Sequence, residues 1–153
     1  MKVLLLFLLT GAALAQTPKA APKADATRIS AEIIGSLESH PDLVYARHGE
    51  RELQLDLWRP KAAKDALPAI VCIHGGGWFK GERGSMANLA QALAARGYVT
   101  ATISYRLSGE AKFPAAIQDC KTAVRFLRAN AAKFGIEPGA IGVTGLSAIS
   151  PPC

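Results

Sequence analysis

Hydrophobic and polar residues follow two different periods along this chain. Over residues 52–58 the period is two, which is typical of a strand with one buried face. Apolar and polar positions alternate there as Leu53, Leu55 and Leu57 against Gln54, Asp56 and Arg59. Residues 42–48 predict a second strand, and Gly49 and Glu50 between the two segments predict a turn. The first predicted unit is therefore an antiparallel hairpin.

Three later segments predict strands in the interior of a sheet. Residues 69–73 are apolar at every position, as expected for a strand covered on both faces, and this strand should be central. Residues 98–105 have a β-rich composition, and residues 140–145 predict a third buried strand.

Apolar residues recur at helical spacing between these strands. The first predicted helix ends before Gly97, a residue suited to a left-handed cap, and its apolar positions are Met86, Leu89, Ala90, Leu93 and Ala94. The second begins at Pro114, ends at Gly135 and carries one stripe of Ile117, Cys120, Val124, Leu127, Ala131 and Phe134. Strands that alternate with amphipathic helices predict an α/β fold, with a mostly parallel sheet and an N-terminal antiparallel hairpin.

The first 28 residues do not fit this pattern. Residues 1–15 contain one basic residue, an apolar run and a small-x-small site, which predicts a cleaved signal peptide and an exported, periplasmic or secreted protein. The run is too short for a membrane anchor, which needs roughly 20 residues, so no membrane span is expected after cleavage. Residues 16–28 are rich in Ala, Pro and Lys and predict a flexible leader. The folded domain should therefore cover residues 29–153.

Charge and cysteine content exclude several classes of partner. The chain of 153 residues has a formal net charge of +6, of which +3 remains from Ile29 onward, scattered among acidic residues. Nucleic acid is therefore not an expected partner. Cys72 and Cys120 lie on apolar faces and are expected to be buried thiols, whereas Cys153 is terminal. No Cys/His cluster predicts a metal site, and no cofactor is expected.

A glycine-rich motif directly follows the first central strand. It reads HGGGW over residues 74–78 and consists of His74, Gly75, Gly76, Gly77 and Trp78. Consecutive glycines let the backbone turn sharply and expose amide groups to a ligand. Such amides could stabilise an oxyanion, although a plain glycine turn would leave the same pattern. A phosphate-binding loop is disfavoured because no Gly-Lys-Ser/Thr follows.

A serine motif follows the last predicted strand. It reads GLSAI over residues 145–149, where a nucleophile elbow of pattern GxSxG would place Ser147. Gly145 fits the small residue that the elbow requires, and Ile149 does not. A strand-end serine is the ordinary alternative. The pairing of the two motifs, each after a buried strand and in this order along the chain, favours the elbow.

These residues resemble a known family. HGGGW, YRL at residues 105–107, and the segment FPAAIQDCKTAVRFLRANAAKFGIEPGAIGVTG with the following LSA resemble the α/β-hydrolase fold. Within it they are most similar to exported esterases of the feruloyl/acetyl-xylan esterase-like group. The resemblance implies Ser147 as nucleophile, with the amides of Gly76, Gly77 and Ala148 as oxyanion hole. It also implies an acetyl or aromatic ester as substrate, free or linked to polysaccharide.

The chain departs from the family pattern after Ala148. The family continues Ser-Ala-Gly-Gly-His, whereas residues 149–153 read ISPPC, with no acidic residue or histidine after Ser147. The sequence therefore predicts the amino-terminal half of an α/β-hydrolase, truncated after the nucleophile, with residues 140–145 as an open sheet edge. A reading-frame change after Ala148 would give this ending, and the downstream nucleotide sequence tests that hypothesis. Without its base the serine should be nearly inert.

Three histidines and one aspartate precede the serine motif. His40 and His48 have no assigned role, His74 is expected to stabilise the glycine turn, and Asp119 is expected to cap or pair locally within its helix. The predicted function is serine carboxylic ester hydrolysis. The alternative is a non-catalytic exported module that binds a ligand or partner through the glycine pocket. Nothing in the sequence specifies an oligomeric state.

Overall fold

The computed structural model describes residues 29–146. The predicted signal peptide and leader, Ser147, Ala148 and Cys153 lie outside the described residues. Within them the strands are β1 Leu37–His48, β2 Arg51–Pro60, β3 Leu67–Ile73, β4 Val99–Ile103 and β5 Ile136–Gly145. The helices are α1 Ala31–Gly35, α2 Ala87–Ala94, α3 Ala115–Ala129 and α4 Ala131–Phe134, with a 3₁₀ turn at Arg83–Met86 before α2.

The five strands form one mixed sheet in the order β1-β2-β4-β3-β5. β1 and β2 are antiparallel and joined by the predicted turn, and β2 pairs antiparallel with β4. β3 is parallel to both β4 and β5. The predicted α/β class, the N-terminal hairpin and the central position of β3 are therefore confirmed.

Apolar side chains are buried on both faces of this sheet. On one face Leu53, Leu55 and Leu57 of β2 are fully buried and belong to a cluster that includes Leu127 of α3. On the other face Cys72 of β3 packs with Met86 and Ala90 at the start of α2. The sheet therefore lies between α2 and α3, and the period-two pattern of β2 directs its leucines toward α3.

Three elements differ from the sequence prediction. The short α1 was not predicted; its N-cap is Ser30, whose hydroxyl accepts a hydrogen bond from the amide of Ile33. The second predicted helix is interrupted at Asn130, where the backbone leaves helical geometry (φ −104°, ψ 18°). The Asn130 side chain donates to the carbonyl of Phe126, which is the local competition that makes asparagine a poor helix-interior residue.

The strand β5 is not buried, contrary to the prediction for residues 140–145. It lies at the edge of the described sheet, paired with β3 alone among the described strands, and its Val143 side chain is 56% exposed. The sequence pattern alone could not distinguish a covered strand from an apolar strand at an edge, because both are continuous apolar runs.

A buried ion pair fixes α3 to the end of β4. Asp119, 1% exposed, accepts hydrogen bonds from the Arg106 amide (3.0 Å), Nε (2.8 Å) and Nη2 (2.7 Å). The Nε2 atom of His48 lies 3.3 Å from the same carboxylate. The prediction that Asp119 pairs locally within its helix is wrong, because its partners Arg106 and His48 lie outside α3. The side-chain hydrogen bond to Asp119 is the main cause that raises the pKa of Arg106.

No helix within residues 29–146 has both the length and the apolar character that crossing a membrane requires.

Replacing Asp119 by alanine should strongly destabilise the fold. Removal of one partner of a buried ion pair leaves the other charge without compensation, so we expect Asp119→Ala to lower the free energy of unfolding by about 3 kcal/mol. The exposed loop residue Asp65 provides the matched control, Asp65→Ala, for which we expect no significant change. Urea unfolding followed by circular dichroism measures both. Equal stability of the two variants would contradict a structural role for the Asp119 ion pair.

The two buried thiols should be unreactive while the fold is intact. Cys72 and Cys120 are free and buried, and burial raises the pKa of each thiol to about 11. Thiolate is the reactive form, so both should be protected at about pH 8 in a Cys153→Ser variant. Dithionitrobenzoate should react with neither in native buffer and with both in denaturant. Fast reaction in native buffer would contradict the packing described.

Candidate active site

The glycine motif and the serine motif emerge from adjacent parallel strands. Ile73, the last residue of β3, is in register with Gly145, the last residue of β5. The amide of Leu146 donates to the carbonyl of Ile73 at 3.3 Å, which continues the pairing one residue further. Both motifs therefore begin at the same edge of the sheet, the carboxyl edge at which open α/β sheets bind their ligands.

Gly145 fits the closeness of these two strands. A β-carbon added at this position would lie 3.2 Å from the carbonyl oxygen and 3.7 Å from the β-carbon of Ile73. A larger residue would therefore require Ile73 to move by a few tenths of an ångström at the end of the β3–β5 pairing. This contact is the physical reason for the small residue in the first position of the serine motif.

A cleft of about 320 Å³ lies between the two motifs. Its lining consists of Ile73, His74, Trp78, Val143, Thr144, Gly145 and Leu146. The ends of β3 and β5 thus line the cleft. Leu146, the last described residue, is also part of this lining. Ser147 and Ala148 lie outside the described residues, so their side chains and amides are not part of this geometry.

The glycine motif folds into a tight turn that only glycine permits. Gly76 has φ 120° and Gly77 has φ 66°. The Gly76 carbonyl accepts from the amides of Phe79 and Lys80, both at 3.1 Å. A β-carbon on Gly76 would lie 2.0 Å from the backbone oxygen of Lys80, which no L-residue could tolerate.

This turn leaves backbone donors without partners. Within residues 29–146, no hydrogen bond uses the amide of Gly76 or Gly77. Amides that the fold does not satisfy internally remain available to water or to a ligand with negative charge. Unpaired backbone amides beside a cleft are the arrangement that oxyanion holes use.

His74 lies inside the turn. It is 3% exposed, and its ring stacks on Tyr105 with centroids 4.3 Å apart and planes inclined by 13°. Its Nδ1 atom lies 2.9 Å from the carbonyl oxygen of Gly75. A β-carbon on Gly81 would come within 2.4 Å of the same Nδ1 atom, so Gly81 gives the imidazole its space. These contacts assign His74 to holding the turn.

Tyr105 anchors the turn from β4. Its hydroxyl donates to the His74 carbonyl at 2.9 Å, and its ring lies 5.3 Å from that of Trp78. Burial is the main cause that raises the pKa of Tyr105 to about 12, so the phenol stays protonated and able to donate. The next residue, Arg106, forms the ion pair with Asp119. The end of β4 therefore supports the glycine turn and is itself fixed to α3.

The other two histidines are not at the cleft. His40 lies 3.0 Å from Glu38 and packs edge-on against Phe134, just before the amino end of β5, whereas the cleft is at its carboxyl end. His48 contacts Asp119 on the far side of the ion pair. Of the described histidines only His74 reaches the cleft, and its ring is committed to the turn.

A larger polar cavity, about 410 Å³, also includes His74. Its two arginines are already engaged: Arg51 donates to Glu110 at 2.7 Å, and Arg83 donates to Asp56 at 2.8 Å and to Gln54 at 3.1 Å. Arg83 is also paired with Asp42. The Arg83 pairs connect the hairpin to the segment before α2, and the Arg51 pair connects it to the loop before α3, so both cations are already paired within residues 29–146.

Sequence reasoning did not assign roles to Tyr105 and Arg106, and it gave Asp119 only a local one. Tyr105 and Arg106 lie two and three residues after the end of β4, at the same edge of the sheet as both motifs, and this position was the signal available. The partner of Arg106 could not be read from the sequence, because Asp119 is brought to it only when α3 packs on the sheet.

Comparison with known protein families finds similar esterases. The profile of the BD-FAE family matches residues 55–149, which span β2 to the serine motif. The carboxylesterase NlhH of Mycobacterium tuberculosis is 35% identical over 101 residues, covering 65% of this chain and 32% of that protein. The esterase LipC of the same species is 39% identical over 96 residues, covering 61% of this chain and 24% of that protein. The chain therefore spans about a third or less of the length of these curated relatives.

Solved structures of esterases are also similar to this chain. The thermophilic esterase Est2 of Thermogutta terrifontis superposes with a TM-score of 0.67 at 31% identity, over 74% of this chain and 41% of that one. A bacterial heroin esterase superposes with a TM-score of 0.62 at 30% identity, over 72% of this chain and 34% of that one. The α/β-hydrolase fold is thereby confirmed, and because the family profile covers more than half of its residues, this chain belongs to the BD-FAE family.

Proposed function

We propose that this chain is part of an exported serine carboxylic ester hydrolase acting on acetyl or feruloyl-type esters. The observation that carries the proposal is the register of β3 and β5, in which Ile73 lies opposite Gly145. Because of this register, the glycine turn and the GxS segment begin at neighbouring points of one cleft. The Gly76 and Gly77 amides of that turn have no hydrogen-bond partner within residues 29–146. The esterase relatives favour this function over a non-catalytic binding module.

In the proposed reaction Ser147 is the nucleophile. Its Oγ attacks the ester carbonyl carbon while its proton passes to a base, and the carbonyl oxygen becomes an oxyanion. The amides of Gly76, Gly77 and Ala148 donate to that oxyanion. The intermediate then collapses, the alkoxide leaves with a proton, and an acyl-enzyme remains. Water attacks the acyl carbon and releases the carboxylic acid and the free serine.

The base is proposed to come from outside residues 29–146. His74 is the one described histidine on the cleft, and its buried ring is stacked on Tyr105 with Nδ1 directed at the turn. His40 and His48 lie at other places in the fold. The triad logic of serine hydrolases needs an imidazole within hydrogen-bond reach of the serine.

Loss of the serine hydroxyl should abolish ester hydrolysis. In the complete natural protein that carries this sequence, we expect Ser147→Ala to reduce kcat for p-nitrophenyl acetate by about 10⁴-fold or more. Ser150→Ala, three residues further along, is the matched control and should leave kcat essentially unchanged. If Ser147→Ala retains full hydrolysis, or if both variants lose it equally, Ser147 is not the nucleophile.

A methyl group at Gly76 should damage both the turn and the reaction. Gly76→Ala would place its β-carbon 2.0 Å from the backbone oxygen of Lys80 at φ 120°. We expect a loss in kcat of about 100-fold or more, as for removal of an oxyanion donor. Gly97→Ala is the control, since Gly97 has φ 95° with open space around its β-position.

The two variants separate backbone strain from the clash at the turn. Gly97→Ala should cost about 1 kcal/mol in the free energy of unfolding and leave kcat unchanged. Gly76→Ala should cost more and also lower kcat for the fraction that remains folded. Normal kcat in folded Gly76→Ala protein would contradict the role assigned to this amide.

A further inference from the structure

A small apolar cavity lies beside the cleft. Its volume is about 160 Å³, and its lining consists of Trp78, Ser108, Ala111, Phe113, Ala116 and Ile117. Five of these six side chains are hydrocarbon or indole. The cavity therefore offers an environment that favours an apolar group over a polar one.

Trp78 connects this cavity to the cleft. The residue lines both spaces, and it directly follows the two glycines whose amides are unpaired. A group in the small cavity and an ester carbonyl in the cleft would thus both lie beside Trp78. This position makes the cavity a neighbour of the reacting bond.

The conformation of Trp78 is unusual and firmly held. Its φ is 62°, a value that a non-glycine residue rarely adopts and that costs free energy. The carbonyl of Trp78 accepts from the amide of Ser108 at 2.8 Å, and its ring packs on Tyr105. The fold thus holds Trp78, which lines both spaces, in a backbone conformation that costs free energy.

The volume and the apolar lining of the cavity restrict which chemical group it can hold. An apolar protein cavity of about 150 Å³ accommodates a benzene ring. A ring carrying several hydroxyl groups would bury them without partners, because Ser108 offers the one side-chain hydroxyl in this lining. The occupant is therefore an aryl group with at most one hydroxyl, or a branched alkyl group of similar volume.

We infer that the cavity between Trp78 and Ala116 is a subsite for an apolar group of phenyl size on the ester substrate. The inference rests on the proposed function, because the ester in the cleft gives the group its position. Phe113, 88% exposed, adds an aromatic side chain at the rim where that group would enter. Ala116 on α3 limits the depth of the subsite, so its side chain determines which groups fit.

The subsite can be tested by binding, without catalysis. The measurement uses the 153-residue chain, which has two tryptophans, so Trp58→Phe leaves Trp78 as its one tryptophan. The probe is 4-bromobenzyl alcohol, whose bromine quenches indole fluorescence on contact, and 2-bromoethanol is the reference quencher without a ring. We expect saturable quenching by the aryl probe and linear quenching by the reference.

Filling the cavity should remove the saturable component. Ala116→Leu adds three carbons to the lining and should raise the midpoint of saturation at least about tenfold. Ala129→Leu, at an exposed position of the same helix, is the matched control and should leave the midpoint unchanged. Circular dichroism and thermal unfolding establish that both variants are folded.

The outcomes separate this inference from the proposed function. Linear quenching by both probes, or saturation that Ala116→Leu leaves unchanged, overturns the subsite. Saturation that is lost in Ala116→Leu and kept in Ala129→Leu supports it. Neither result depends on whether Ser147→Ala changes ester hydrolysis, so an absence of catalysis would contradict the reaction without affecting the subsite measurement.

Discussion

The parallel pairing of β3 with β5 is the constraint on which the rest of the site depends. It runs from Ala69 opposite Ile141 to Ile73 opposite Gly145, and the Leu146 amide extends it by one more hydrogen bond. Because the register is fixed over these residues, the glycine motif after β3 and the serine motif at the end of β5 start at the same height. A shift of one residue would rotate the side chains of β5 to the opposite face of the sheet and separate the two motifs. The lack of a side chain at Gly145 permits this close pairing.

The glycine turn is held by buried groups packed against it. Tyr105 donates to the carbonyl of His74, and the stacked rings of these two residues fill the space under the turn. Arg106 then connects the end of β4 to Asp119 on α3. The strained conformation of Trp78 beside Gly76 and Gly77 is thus supported by packing and by an ion pair in the neighbouring elements, which is the condition under which unusual backbone conformations persist.

Much of this arrangement follows from the sequence, for identifiable physical reasons. The alternation of Leu53, Leu55 and Leu57 gave the hairpin strand because only a period of two buries all three on one face. The two motifs were recognisable because each follows an apolar strand. The break at Asn130 was not predicted, and the apolar pattern of residues 140–145 did not by itself show that the strand is exposed, since a helical stripe and an apolar run are compatible with more than one environment. The partners of Asp119 and the position of Trp78 depend on tertiary packing, which spacing along the chain does not encode.

The most direct measurement of the central claim is the structure of the complete natural protein after reaction with an alkyl phosphonate that labels its nucleophile. If the ends of β3 and β5 form one catalytic site, the phosphonyl group will be bound to Ser147 Oγ. Its oxygen will then lie roughly 2.7–3.1 Å from the amide nitrogen of Gly76 or Gly77. A phosphonyl oxygen that is directed away from both amides, or a label on a residue elsewhere in the protein, would contradict the account.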